Sequence, residues 1–218
     1  MPCKAMVLNM KLILLGPPAA GKGTQAEAIA EKYALAHIST GDMLRAEIAL
    51  QTNRGMQAKA IIDKGNLVPD EMICAMVEER ISHEDCRNGF ILDGFPRTLA
   101  QAEAISSMTD IDAVLDIDAE PEILIARVAK RRVCPECKHT QVAEEGEEPV
   151  CAKCGAKLIR RPDDNPEAMR NRLAVYYEST FPLIQYYKQK GILVPIDGGQ
   201  SLEAVTRDIY TYIDEKLS

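Results

Sequence analysis

Residues 16–24, Gly-Pro-Pro-Ala-Ala-Gly-Lys-Gly-Thr, carry the clearest chemical pattern in the chain. They follow the apolar run Leu12-Ile13-Leu14-Leu15 and precede Gln25-Ala26-Glu27-Ala28-Ile29, so they read as strand, glycine-rich loop and helix. In that setting backbone N–H groups and the positive end of a helix dipole converge on one point. Lys22 adds a mobile charge that can follow a β- or γ-phosphate. The alternative is a glycine turn without chemical consequence, but the spacing from Gly16 to Gly21 and Lys22 and the strand-to-helix context argue for a nucleoside triphosphate cradle. Gly23 stands where the general motif has Ser or Thr, and Thr24 comes one place later, so direct Mg²⁺ ligation by that hydroxyl is weakened.

Cys134, Cys137, Cys151 and Cys154 form two C-x-x-C pairs separated by thirteen residues. This spacing brings four thiolates to one tetrahedral metal, as in zinc ribbons, and Cys154-Gly155 supplies a tight turn. Two disulfides or a redox pair are the alternatives, and paired knuckles in a cytosolic chain favour Zn²⁺. Four protein ligands leave no open position, so the metal is expected to be structural. Cys3, Cys74 and Cys86 stand alone, and no disulfide framework is expected.

Two further polar clusters sit at element ends. Ser39-Thr40-Gly41-Asp42 is N-cap chemistry opening a helix through Leu50, and it places Arg45 one turn in, either near an anion at the helix start or simply solvated. Asp93-Gly94-Phe95-Pro96-Arg97 breaks the strand Phe90-Ile91-Leu92 sharply, at the carboxyl end of a strand, where open parallel sheets place ligands. His37, His83 and His139 are scattered. With no His–carboxylate pairing legible beside the loop, each is expected to be structural or exposed.

The elements that position these groups alternate strand and helix. Apolar runs near residues 12–15, 36–39, 90–92, 113–117 and 192–196 imply five parallel strands joined by right-handed crossovers, an α/β fold. Pro195 removes a ladder donor and marks an edge strand. Helices are expected from about 54 to 64, from Pro69-Asp70 through Ile81, from Pro121 to Arg132, across Arg170 to Tyr177 with a break at Phe181-Pro182, and from 201 to 216. Residues 133–158 lose helical periodicity.

At 218 residues with 46% apolar and 27% charged content, the chain suits a globular α/β domain with excursions. No apolar run approaches the ~20 residues that span a bilayer, and residues 1–10 lack a signal-peptide core. The cytoplasm is the expected compartment, with no membrane partner. A net charge of −7 argues against a broad nucleic-acid surface. Nothing signals an oligomer, and a monomer is expected.

From Lys11 onward the chain resembles the adenylate kinases, in their long form with a zinc-binding lid. The resemblance rests on residues 16–24, Ser39 to Arg45, Gly65 to Asp70, Phe90 to Gln101, Arg131 to Cys134, Arg160 to Asn165 and Arg170 to Leu173, in this order and spacing. It implies a P-loop nucleoside monophosphate kinase fold: a five-stranded parallel sheet flanked by helices (1–38, 69–130, 169–218), a helical AMP-binding excursion (39–68) and a zinc-ribbon-like lid (131–168). The implied reaction is Mg·ATP + AMP ⇌ 2 ADP. By resemblance, Ala19, Ala20, Gly21, Lys22, Gly23, Thr24, Arg127, Arg131, Thr140, Gln141 and Gln200 fall at the ATP site, the last through its backbone carbonyl. Thr40, Arg45, Asn66, Leu67, Val68, Gly94, Phe95, Pro96, Arg97, Gln101, Arg161 and Arg172 fall at the AMP site. Lys22, Arg97, Arg131, Arg161 and Arg172 would carry catalysis, Asp93 would hold Mg²⁺ through water, and Asp163 and Asp164 would position the lid arginines.

Ala19 departs from the family's usual glycine. A backbone that tolerates the Cβ is expected there, so that Ala19→Gly would destabilise by roughly 0.4–1 kcal/mol. Competing readings are a nucleoside monophosphate kinase using GTP as donor or UMP/CMP as acceptor, and a nucleotide-gated protein gripping nucleic acid with its zinc ribbon. Against the second stands the acidic run Glu144-Glu145-Gly146-Glu147-Glu148, which repels phosphate.

Overall fold

The five apolar runs become one parallel sheet. The computed structural model describes residues 9–143, 149–161 and 164–217. Strands β1 (Met10–Leu15), β2 (Ala36–Ser39), β3 (Gly89–Asp93), β4 (Ala113–Asp118) and β7 (Leu193–Asp197) lie in the order β2-β3-β1-β4-β7. Every pairing is parallel. The strands read as unbroken apolar runs because both faces are covered. On one face Leu12, Leu14, Leu115 and Ile117 pack with Ala26 and Ile29 of α1 (Lys22–Tyr33) and Val205, Ile209 and Ile213 of α9 (Leu202–Lys216). On the other, Ile13, Leu15, Leu92 and Val114 meet α4 (Asp70–Ile81), α5 (Leu99–Met108) and α8 (Pro182–Gln189) through Ile73, Met76, Ala102, Ile105, Leu183 and Tyr187.

β7 is an edge strand, with Pro195 opposite Asp116, as the missing donor requires. Helix α5 is absent from the sequence reading, because its buried positions Gln101, Ala102 and Ile105 are polar, small and apolar in turn and give a weak stripe. The expected helix after Pro121 is α6 (Pro121–Lys130). It stops one residue before Arg131, which with Arg132 starts a hairpin instead.

Strand β1 is flanked by β3 and β4, so its carboxyl end is the point where the connections diverge to opposite sides, and crevices open there. Two excursions overhang it. Helices α2 (Thr40–Ala49) and α3 (Asn53–Ile62) form one. The other begins with β5 (Arg131–Val133) and β6 (Thr140–Val142), paired antiparallel, and returns through bridges Val133↔Ile159 and Val150↔Lys157. The chain then re-enters the core as α7 (Pro166–Val175) and a π-helical turn, Tyr176–Thr180. Among the described residues no helix is long and apolar enough to cross a membrane.

Candidate functional site

The loop after β1 is shaped by backbone that few residues adopt. Gly16 has φ 132°, and a Cβ there would stand 2.1 Å from the Ile117 carbonyl oxygen, so only glycine fits between β1 and β4. Gly21, at φ 98°, caps α1 without any side-chain hydrogen bond, and no acidic residue occupies the first turn. The helix start therefore presents N–H groups and dipole to an incoming anion, with nothing of its own to satisfy them. Ala19 has φ 68°. This corrects the expectation of an untroubled Cβ: the loop demands the left-handed region, which costs a non-glycine residue about 1–2 kcal/mol.

Lys22 Nζ folds back to donate to the Gly16 and Pro17 carbonyl oxygens at 2.7 and 2.8 Å. Desolvation of this enclosed ammonium pushes its pKa down to about 8, and Arg97, Arg172 and Arg131 push the same way against Asp93. Asp93 ends β3 beside the loop, where a Cβ on Gly23 would stand 3.5 Å from Oδ2. Burial works to raise the Asp93 carboxyl, but facing His37, Lys22 and Arg97 outweigh it and hold it below the usual carboxylate range. His37 Nε2 lies 3.7 Å from Asp93 Oδ2, beyond direct hydrogen-bond length. A His–carboxylate pair thus does lie beside the loop, contrary to the sequence reading, because the sheet sets β2 against β3.

The second cleft lies under α2. Thr40 Oγ1 donates to the Gly94 carbonyl oxygen at 2.8 Å, and Arg45 grips Asp42 at 2.7 and 3.2 Å. Thr40, Arg45, Asn66, Leu67, Val68, Gly94 and Gln101 line this space with Arg97 and Arg172. Gly94, at φ 79°, leaves room for Arg97, whose Nη2 would lie 2.8 Å from an added Cβ. Arg97 Nε donates to Gly94 O at 2.7 Å. Phe95 precedes a cis Pro96, and its side chain is wholly buried in the core, so it serves the cleft as support. Gln101 is fully engaged: its Oε1 accepts from Arg97 N at 2.7 Å and its Nε2 donates to Asp70 Oδ1 at 2.7 Å.

The two clefts share a wall. Lys22, Gly16 and Pro18 line the first and Thr40, Arg45 and Gln101 the second, while Gly65, Leu67, Gly94, Arg97 and Arg172 line both. From the overhanging segment, Arg131 forms a bidentate ion pair with buried Asp164, and Arg172 Nη1 lies 3.8 Å from the same carboxylate. Arg161 is enclosed between the segment and α2. Desolvation lowers its pKa, as do Arg45 and Arg131, with Asp42 and Asp164 opposing. Its Nε meets no hydrogen-bond partner among the described residues, a donor held ready in a desolvated place. Farther out, Arg127 Nη2 donates to the Gln200 carbonyl oxygen at 3.2 Å.

The four cysteine sulfurs lie within 4.8 Å of one another, with Cys134–Cys154 and Cys137–Cys151 at 3.4 and 3.5 Å. Four sulfurs bound at the usual Zn–S length sit ~3.8 Å apart, so the set fits a tetrahedral ion. Backbone N–H groups of Cys137 and Lys153 point at Cys134 and Cys151 Sγ, each at 3.4 Å, and so fix the orientation of those two sulfurs.

Residues 14–192 match the family profile described as adenylate kinase. Over 214 residues the chain is 47% identical to an adenylate kinase of Archaeoglobus fulgidus, covering 94% of this chain and 99% of that one. It is 48% identical over 208 residues to one from Clostridium tetani, covering 92% and 96%. To one from Allorhizobium ampelinum it is 49% identical over 213 residues, covering 94% and 99%. The chain belongs to the adenylate kinase family.

For this adenylate kinase family member the structure sets Lys22 within electrostatic reach of Asp93, Arg97, Arg172 and Arg131, with Arg161 in reach of Arg131 and Arg45. Ala20, Gly23 and Thr24 complete the loop and first turn, whereas Thr140 and Gln141 lie in the hairpin. Gln141 is occupied there: its Oε1 accepts from Ala152 N at 3.0 Å and its Nε2 donates to Val150 O at 3.2 Å, tying the two knuckle strands together. Asp163, expected to position arginines, lies outside the described residues, as does the 144–148 run. Sequence reasoning missed Asp70, which accepts from both Gln101 and Thr98, and Thr180, which donates to Arg97 O at 2.9 Å. Asp70 follows Pro69 at a helix start, which signals a cap but not its partners.

Proposed function

We propose that this chain catalyses reversible transfer of the terminal phosphoryl group of ATP to AMP, giving two ADP. The shared wall of two clefts supports this most: one cleft has a phosphate cradle, the other an arginine-bearing helix, and Arg97 and Arg172 stand where they join. The attacking group is a phosphate oxygen that already carries charge, so no general base is required. The barrier lies in bringing two polyanions together and stabilising charge on the transferring oxygens.

In this reading Lys22 exchanges its two loop carbonyls for donor phosphate oxygens, and the anion offsets the desolvation it now bears. Arg45 releases Asp42 to hold the acceptor phosphate, with Thr40, Asn66 to Val68 and Gln101 shaping the adenine pocket. Arg131, Arg161 and Arg172 close from above, oriented by Asp164. Arg127 and Gln200 sit where the donor adenine would lie. Mg²⁺, entering with ATP, supplies further neutralisation of phosphate charge, and ionised Asp93 would hold its waters. Residues 39–68 and 131–168 would move as units against the core, excluding water, the competing acceptor, as they deliver arginines. The four cysteines would hold one structural Zn²⁺.

A donor-by-acceptor nucleotide panel assayed for phosphoryl transfer tests the reading. ATP with AMP is expected to exceed every other pair in kcat/KM. Preference for GTP as donor, or for UMP or CMP as acceptor, would replace it with another monophosphate kinase.

A further inference from the structure

One polar contact runs from the cysteine hairpin to the helix behind the phosphate loop, and nothing in the reaction uses it. His139 Nδ1 lies 3.2 Å from Glu27 Oε2, with the two side chains 25% and 30% exposed. Glu27 sits on α1 five residues after Lys22, off the face that buries Ala26 and Ile29. His139 closes the first knuckle. Lys138, at φ 64°, donates its N–H to the Cys134 carbonyl oxygen at 3.1 Å, and Cys134 N donates to the His139 carbonyl oxygen at 2.9 Å. The backbone of His139 is thereby fixed to a cysteine of the cluster, and its ring is presented outward to α1.

Two other ties between the hairpin and the core lie at its base. Arg160 Nη2 donates to Ala129 O at 2.8 Å, and Ala143 N donates to Lys130 O at 3.0 Å. Both acceptors sit at the end of α6, where the hairpin is rooted, so these bonds survive a rotation about that root. The His139–Glu27 contact does not, because its partners belong to separate elements, 112 residues apart. An interaction present in only one of two states stabilises that state alone.

We propose that Glu27 and His139 form a clasp that holds the lid against the core over the donor cleft, making them positioning residues for the ATP side of the reaction. The proposal rests on the reading of residues 131–168 as a moving lid. It predicts a bias toward the closed form, which raises apparent ATP affinity by enlarging the competent fraction. The AMP cleft lies under α2 on the other side of the shared wall and meets the lid through Arg161, so it gains less from the clasp than the donor cleft does.

The test is a double-mutant cycle with Glu27→Ala, His139→Ala and the double variant, and Glu27→Gln as the conservative partner. Each alanine variant is expected to raise KM for ATP about two- to fivefold, the range for a partly exposed pair, with KM for AMP and kcat changing less. The double variant should be no worse than the worse single one, and Glu27→Gln, which keeps an acceptor for the ring, should recover most of the loss. Hydrogen exchange without substrates supplies a reading independent of catalysis. Amides of residues 131–142 should exchange faster in Glu27→Ala, while β1 and β3 keep their protection. Additive effects in the cycle, equal changes in the KM values for AMP and ATP, or unchanged hairpin exchange in Glu27→Ala would each overturn the clasp. If the exchange changes as expected but no nucleotide pair supports transfer, the clasp stands and the proposed reaction falls.

Discussion

The sheet core and the cysteine hairpin stand by different means. In the core, both faces of β1, β3 and β4 are lined by fully buried side chains such as Leu12, Ile13, Ile91, Leu92 and Leu115. In the hairpin the buried cluster is Cys134, Cys151 and Leu158, with Cys137 and Ala156 against it. At ~25 cal/mol per Å² such a cluster cannot offset the ordering of its own backbone, whereas the core has many times that area. The difference teaches where each segment's order comes from. Burial fixes the phosphate loop at the end of β1, and in the proposed reading metal ligation by the four cysteines would fix the segment that carries Arg131 and Arg161. A segment organised this way can swing as one body without disturbing the core it swings against.

The largest expected effect breaks the comparison on the core side. Lys22→Met should lower kcat by at least 10²–10³, because it removes a charge that follows the moving phosphoryl group. It should also make the unliganded protein more stable, by up to about 3 kcal/mol near neutral pH, since the wild-type pKa falls from 10.5 to about 8 on folding. The sign follows from the charged form being disfavoured in the fold. The penalty is fully present below pH 8, fades as pH rises toward 10.5, and so gives wild type a stability that climbs through that window where the variant's does not. Turnover within a few-fold of wild type would remove the loop from the donor site, and parallel pH–stability curves would remove the desolvation argument.

On the lid side, Cys151→Ser or chelation should lower transfer and raise ATP hydrolysis as a share of turnover, because water reaches an incompletely closed site. The core melting transition should not move. A complete loss of transfer with no change in the hydrogen-exchange protection of the hairpin would point to a metal acting in the chemistry. Arg45→Ala sharpens the division between clefts: it should raise KM for AMP about ten- to hundredfold, the worth of a charged hydrogen bond, while KM for ATP changes little. Equal rises for both substrates would contradict the acceptor cleft under α2.

The smallest effect concerns one backbone angle. With Ala19 at φ 68°, Ala19→Gly relieves about 1–2 kcal/mol and gives back about 0.4–1 through the unfolded chain, a net gain of up to about 1.6 kcal/mol. A thermal melt showing a loss would mean the loop relaxes around alanine in solution.

The strands, the phosphate loop and the cysteine knuckles were legible in the sequence because each is a local pattern: an apolar run, a glycine spacing, a repeated C-x-x-C. What was not legible depends on partners brought together by topology. His37 meets Asp93 because β2 lies against β3, and Glu27 meets His139 because the hairpin folds over α1; neither pairing has a sequence signature. The conformation of Ala19 escaped for another reason, since the residue type argues against the very angle the loop imposes. Gln141 and Gln101 matched family positions, yet the structure spends both amides on internal ties.

The most direct test of the contrast between core and lid is hydrogen exchange on the chelated protein. Protection across residues 131–142 and 149–161 is expected to fall toward that of an unfolded segment, while β1, β3 and β4 exchange as they do in the metal-loaded protein. Unchanged protection in the hairpin after metal removal would contradict the account, because the segment would then owe its order to something other than the four cysteines.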